Sequence, residues 1–175
     1  MRKLGILAVF MMVVLGAACG KGGDSSNEQE SASSSKKMIE LVTTQDGSPM
    51  AIDPAWFDTA EAKEFASTGK NPYIGKQEAI DKGKKLYQMY SCSQCHGGDA
   101  QGQTGPSLHG PDFKYVKDAT NKGMFETIWH GTNGGMGGKG KGIMDPTDPK
   151  NGLTPDEVLK IIAWIRTHSS ITGNE

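Results

Sequence analysis

The chain has 175 residues, which is enough for one modest domain with terminal segments but not for two full domains. Hydrophobic residues make up 35% of it, below the roughly 45–50% that is usual in globular chains, so we expect a small core. The formal net charge is only −1, and this balance argues against the strongly basic surface of a nucleic-acid-binding protein.

The N-terminus has the pattern of an export signal. Two basic residues precede an apolar run over residues 4–18. This run is shorter than the roughly 20 residues that a transmembrane helix usually needs. Small residues then precede Cys19, as they do before the cysteine that is lipidated in bacterial lipoproteins. Cleavage near Ala18 that leaves a spare thiol is the alternative. We therefore expect residues 1–18 to be a signal peptide, followed by a possible lipid anchor.

Two different segments follow the export signal. Residues 19–37 are rich in Gly, Ser and charged residues and predict a flexible tether, because they have nothing to bury. Residues 38–75 form an extension with a short capped helix over 59–65. Its aromatic side chains are Trp56, Phe57, Phe65 and Tyr73. We expect the extension to pack on the domain of residues 76–175, as a structural cover or as a docking element.

The motif Cys92-Ser93-Gln94-Cys95-His96 is the attachment pattern of a c-type haem. Its spacing lets two thiols reach the two vinyl groups of a porphyrin while the next imidazole lies under the iron. A thioredoxin-like redox pair would need a βαβ context, which the pattern of this chain does not offer. A zinc site would need a second closely spaced ligand pair. The sequence therefore predicts one covalent haem held by Cys92 and Cys95 and ligated by His96.

Two helices are expected to flank this motif. Residues 78–90 have apolar residues at helical spacing, with Gly83 in the middle, and a glycine there favours a close helix crossing. Near the C-terminus, Thr154 and Glu157 form a capping box around Pro155. An apolar stripe then follows at Val158, Ile161, Ile162 and Ile165. We expect the first and last helices of this domain to cross.

Four segments together resemble the class I cytochrome c family: residues 83–87, the haem motif, residues 104–110 and residues 163–165. The resemblance implies an all-α fold around one covalent haem, on which the extension packs. It implies that the carbonyl of Pro106 accepts a hydrogen bond from His96, which fixes the imidazole. It also implies that Leu108 packs against the haem and that the crossing involves Gly83 and Trp164.

Several residues after the motif could supply the second axial ligand: Met124, Met136, Met144, His109, His130 and His168. Met124 belongs to a short amphipathic helix, and the histidines fall in a turn or at helix ends. Met136 and Met144 belong to a Gly-rich region, whose backbone can approach a porphyrin closely. A Met thioether opposite His suits an electron carrier. The residues alone favour these two methionines and leave the choice between them open.

Residues 52–167 also show a narrower resemblance, to the cytochrome c-L type. It is carried by residues 65–73, 123–128, 131–136 and 153–157. In that family the ligating methionine ends a Gly-rich string, which here is Met136, so the haem iron would be held by His96 and Met136 with Met144 as the runner-up. Two segments depart from the family, residues 111–115 and the long basic stretch of residues 137–152.

The cytochrome c-L resemblance implies a periplasmic electron carrier rather than an enzyme. Its donor would be a quinoprotein (PQQ-dependent) methanol or alcohol dehydrogenase, and its acceptor another cytochrome c or an oxidase. The protein would contact the membrane only through a lipid on Cys19, and no nucleic-acid partner is expected. One alternative is a generic cytochrome c that serves another periplasmic dehydrogenase or oxidase. A different class is a haem enzyme or ligand sensor with an open sixth position.

Overall fold

The computed structural model describes residues 37–171, 173 and 174. The expected signal peptide, the candidate lipidation site Cys19 and the tether up to residue 36 lie outside these residues. These residues form five α-helices: α1 (Ala60–Thr68), α2 (Gln77–Met89), α3 (Cys92–His96), α4 (Asn121–His130) and α5 (Pro155–His168). Two short 3-10 helices cover Pro54–Trp56 and Val116–Ala119.

The described residues contain isolated β-bridges but no β-strand. Their regular structure is therefore helical, and the predicted all-α class is confirmed. Within the same residues, none of the helices has both the length and the apolar content that crossing a membrane requires.

α2 and α5 cross at Gly83, as expected. A Cβ atom added to Gly83 would lie 2.0 Å from the main-chain oxygen of Lys160, so only glycine permits this approach. Beside it, the rings of Tyr87 and Trp164 lie 4.4 Å apart between centroids. The predicted capping box at the start of α5 is present, with Thr154 accepting from the Glu157 main chain. The crossing supports the segment that runs from α2 directly into the haem motif.

The extension packs against α4 through aromatic rings. Thr59 caps α1, and the helix continues three residues beyond the predicted 59–65 segment, to Thr68. Phe65 is fully buried, and its ring centroid lies 4.7 Å from that of Phe125. The ring centroids of Trp56 and Trp129 lie 6.1 Å apart. The extension is therefore part of the core of the described structure.

A polar contact joins the extension to α4 as well. The carboxylate of Glu126 is almost completely buried and accepts a hydrogen bond from the main-chain N–H of Val42 at 2.8 Å. Two lysines neutralise it, Lys117 and Lys122, each 2.5 Å from one of its oxygens. A buried carboxylate needs such partners, because an unpaired one would carry a large desolvation penalty.

Candidate functional site

A cavity of about 300 Å³ lies between α3, α4, α5 and the loops that follow α3 and α4. It brings together every residue of the predicted site: Cys92, Cys95, His96, Pro106, Leu108 and Met136. Much of the remaining wall is apolar, with Ile161 and Ile165 from α5 and Ile128 from α4. Such a mostly apolar cavity with a few polar groups is the usual form of a cofactor site.

The short helix α3 presents the three motif side chains to this cavity. Ser91 precedes it with φ 60° and Gly97 ends it with φ 81°, so the chain turns sharply on both sides. Cys92 is half-buried, Cys95 is exposed and His96 is buried. The two cysteines form no disulfide with each other. Before a haem is attached, burial raises the pKa of the Cys92 thiol to about 11.

The imidazole of His96 is held by the loop that follows α3. Its Nδ1 lies 2.8 Å from the carbonyl oxygen of Pro106, and since a carbonyl can only accept, Nδ1 donates. This hydrogen bond is the one that the class I resemblance implies. Gly105 allows the loop to close, because a Cβ there would lie only 3.2 Å from Nδ1. The bond leaves Nε2 as the nitrogen with a free lone pair for a metal.

The two candidate methionines of the Gly-rich region lie in different places. Met136 is partly buried and lines the cavity. A tight turn holds it there, in which Thr132 N donates to Met136 O at 2.8 Å. Met144 is 42% exposed and is not among the residues that line the cavity. Met124, expected in a helix, lies on α4 and also reaches the cavity wall.

Sequence reasoning missed a set of polar residues on the cavity wall: Lys114, Tyr115, Asp118, Thr127, Thr132 and Lys139. Asp118 is the most unusual, because its carboxyl is buried and accepts a hydrogen bond from the Thr127 hydroxyl at 2.6 Å. Burial raises its pKa to about 6. Lys114 and Tyr115 belong to residues 111–115, whose departure from the cytochrome c-L pattern was a usable signal. No sequence pattern singles out Asp118.

The residues present fit a covalently bound haem. Two thiols one helical turn apart suit the two vinyl groups of the porphyrin. An imidazole with a free Nε2 and a thioether are ligands that iron accepts in a haem, and both line the same cavity. The apolar wall formed by α4 and α5 suits the porphyrin ring.

Comparison with known proteins gives consistent results. The family model for cytochrome c matches residues 80–169, just over half of the chain. Cytochrome c-L of Methylorubrum extorquens is 42% identical over 110 residues, which are 62% of this chain and 50% of that protein. The chain thus spans half the length of this curated relative.

Two solved structures of cytochrome cL are similar to this one. The protein from Methylophaga aminisulfidivorans has a TM-score of 0.62 and 36% identity, over 74% of this chain and 79% of that chain. The protein from Hyphomicrobium denitrificans has a TM-score of 0.63 and 35% identity, over 74% of this chain and 73% of that chain. At these identities the likeness extends to sequence as well as to fold.

Proposed function

Because the chain belongs to the cytochrome c family, and within it to the cytochrome c-L group, we propose that it accepts electrons from a PQQ-dependent methanol or alcohol dehydrogenase. It is a mono-haem c-type electron carrier with a covalently bound haem c. The acceptor in this proposal is another cytochrome c or an oxidase of the respiratory chain. The protein then serves as the redox partner of an enzyme and not as an enzyme itself.

One observation carries this proposal: the two cysteines, the imidazole and the thioether that are predicted to hold a haem all line one cavity. In our assignment, Cys92 and Cys95 would hold the haem through thioether bonds, and His96 and Met136 would ligate its iron. The haem supplies reversible one-electron chemistry when bound. The chain fixes the imidazole through Pro106 and shields the ring with apolar walls. Cys95 is exposed, so electrons can enter close to the attached edge.

The axial ligand can be tested with two methionine variants. We expect Met136→Ala to abolish the charge-transfer band from the Met sulfur to ferric iron in the visible spectrum. Met144→Ala is the matched control and should keep the band, because Met144 does not line the cavity. A band that survives in Met136→Ala would exclude this ligand. Rapid binding of carbon monoxide to the reduced wild type would instead indicate an open sixth position, as in a haem enzyme or sensor.

The donor can be tested by reduction of the purified protein with a methanol dehydrogenase and methanol. We expect the haem to be reduced, at a rate that depends on salt, because Lys114 and Lys139 line the cavity and charged encounter faces are screened by ions. The comparison is made at low and high ionic strength. Failure with several such enzymes would leave a generic cytochrome c that serves another donor.

The location and the segment boundaries belong to the same proposal. Residues 1–18 direct export to the periplasm, 19–37 form the tether, 38–75 the extension and 76–175 the cytochrome domain. Cys19 is then the site of a lipid anchor. Expression of the full chain, with Cys19→Ser as the variant, tests this assignment: the wild type should partition with membranes and the variant should not. Equal partitioning would indicate plain cleavage.

A further inference from the structure

The buried carboxyl of Asp118 belongs to a hydrogen-bond network that runs from the cavity to the extension. It accepts from the Thr127 hydroxyl at 2.6 Å, and that hydroxyl lies 2.8 Å from the hydroxyl of Thr44. Asp118 and Thr127 line the cavity. Thr44 is half-buried and its neighbour Gln45 is exposed, so the outer end of the network lies close to the surface. We name Asp118, Thr127 and Thr44 the Asp118 network.

The Asp118 network suits either protonation state of its carboxyl. A hydroxyl group donates one hydrogen and also accepts through its oxygen. When Asp118 is ionised, Thr127 donates to it and Thr44 donates to Thr127. When Asp118 is protonated, both bonds reverse, so that Asp118 donates to Thr127, which donates to Thr44. Neither arrangement breaks a hydrogen bond between these side chains, so no buried donor or acceptor among them is left unpaired by a change of protonation.

Glu126, a second buried carboxyl, is bound in a different way. Its carboxylate is held by Lys117 and Lys122 and by the main-chain N–H of Val42. These partners can only donate, so a proton added to Glu126 would meet other donors. The ion pairs found in the described part of the chain include none to the Asp118 carboxyl. Of the two buried groups, Asp118 is therefore the one placed to exchange a proton.

The charges around Asp118 hold its carboxyl close to the balance between its two states. Burial and the charge of Glu126 oppose the ionised form, while the Thr127 hydrogen bond, Lys117 and Arg166 favour it, and the pKa rises to about 6. Reduction of a haem removes one positive charge from its iron. In an apolar cavity such a loss makes an ionised carboxyl on the wall less favourable. Besides the haem-binding residues, the other titratable side chains on this wall are Tyr87, Lys114, Tyr115 and Lys139.

We propose that Asp118 binds a proton when the haem is reduced and releases it when the haem is oxidised. The electron passes from the donor to the haem iron, and the proton passes from water to the Asp118 carboxylate, which becomes a carboxylic acid. The net charge in the cavity is then the same before and after reduction. Thr127 acts as a positioning residue, since it bonds the carboxyl in both states. This proposal rests on the covalent haem and not on the identity of the electron donor.

Redox titration of the purified haem protein between pH 4 and 9 tests the coupling. In the wild type we expect the midpoint potential to fall as the pH rises through about 6, because an ionised Asp118 stabilises ferric iron. Asp118→Asn removes the ionisable group and should flatten this part of the curve. Asp156→Asn is the matched control, since Asp156 is also a buried carboxyl but does not line the cavity. It should leave the curve in place.

Infrared difference spectra of the reduced minus the oxidised protein report on the proton itself. A protonated carboxyl has a C=O stretching band that a carboxylate lacks, and we expect this band to appear on reduction. It should be absent in Asp118→Asn. Thr127→Val keeps the carboxyl but removes its hydrogen-bond partner, so the band should shift in frequency. Because the Thr127 hydrogen bond lowers the pKa of Asp118, the fall in potential should also move to higher pH in this variant.

A wild-type midpoint potential that does not change with pH would overturn the proposal. So would a C=O band that persists in Asp118→Asn, because the proton would then bind to a haem propionate. Should Asp118→Asn fail to retain haem, a band at the same frequency in the wild type and in Thr127→Val would contradict Asp118 as the proton site. The protein is reduced chemically in these measurements, so their outcome does not depend on reduction by a methanol dehydrogenase.

Discussion

The carboxyl group of Asp118 is buried where its charged form is unfavourable. It is 6% exposed and accepts a hydrogen bond from Thr127. Arg166 donates to its main-chain oxygen and leaves the carboxyl without a direct ion pair from that side chain. Burial, aided by the charge of Glu126, opposes the charged form. It outweighs the Thr127 hydrogen bond and the charges of Lys117 and Arg166, so the pKa rises from 3.8 to about 6.

Asp118→Asn should therefore change stability in a pH-dependent way. Because the folded pKa lies above the ordinary value, the penalty for ionisation is absent below about pH 4 and fully present above about pH 6. A pKa shift of about two units corresponds to a change of roughly 3 kcal/mol in the free energy of unfolding. Denaturant unfolding at pH 4 to 8 should show the variant gaining stability relative to the wild type as pH rises. A difference that is the same at every pH would show that the hydrogen bond alone matters.

At the scale of the elements, the crossing of α2 and α5 depends on the absence of a Cβ atom at Gly83. Gly83→Ala adds a Cβ that would lie 2.0 Å from Lys160 O, so the helices must separate. Alanine favours an isolated helix by about 1 kcal/mol over glycine, and overpacking costs about 1–3 kcal/mol or more. We therefore expect a net loss of stability in thermal unfolding. Gly98→Ala is the control, since a Cβ there meets nothing within 4 Å; an equal loss in both variants would contradict this explanation.

Local signals explain which elements could be predicted. The capping box of α5 and the haem motif each lie within a few residues of sequence, so the pattern alone identified them. The contact between Val42 and Glu126 spans 84 residues and has no local pattern. Likewise Lys114, Tyr115 and Thr132 become neighbours only when the loops before and after α4 meet at Gly134. Such loop contacts are set by the packed helices and not by neighbouring residues.

At the scale of the whole molecule, the extension and the haem domain share one core. Phe65→Ala should cost about 3–5 kcal/mol, because Phe65 is fully buried against Phe125. The loss should appear equally in far-UV circular dichroism and in the haem absorption during unfolding, since one core unfolds as a unit. Met89→Ala, at a side chain 72% exposed, should leave both transitions in place. If Phe65→Ala left the unfolding transition followed by haem absorption unchanged, the extension would fold independently.

The crossing at Gly83 also bears on how the protein matures. α5 follows the other four described helices in sequence, and its Ile161 and Ile165 form part of the cavity wall. The cysteines of α3 lie earlier in the chain than α5, so ribosomal synthesis completes the haem motif before this part of the wall. Until α5 docks onto α2, the cavity lacks this part of its wall and is open to a haem. Faster docking of α5 onto α2 would shorten the interval in which the cofactor can be inserted.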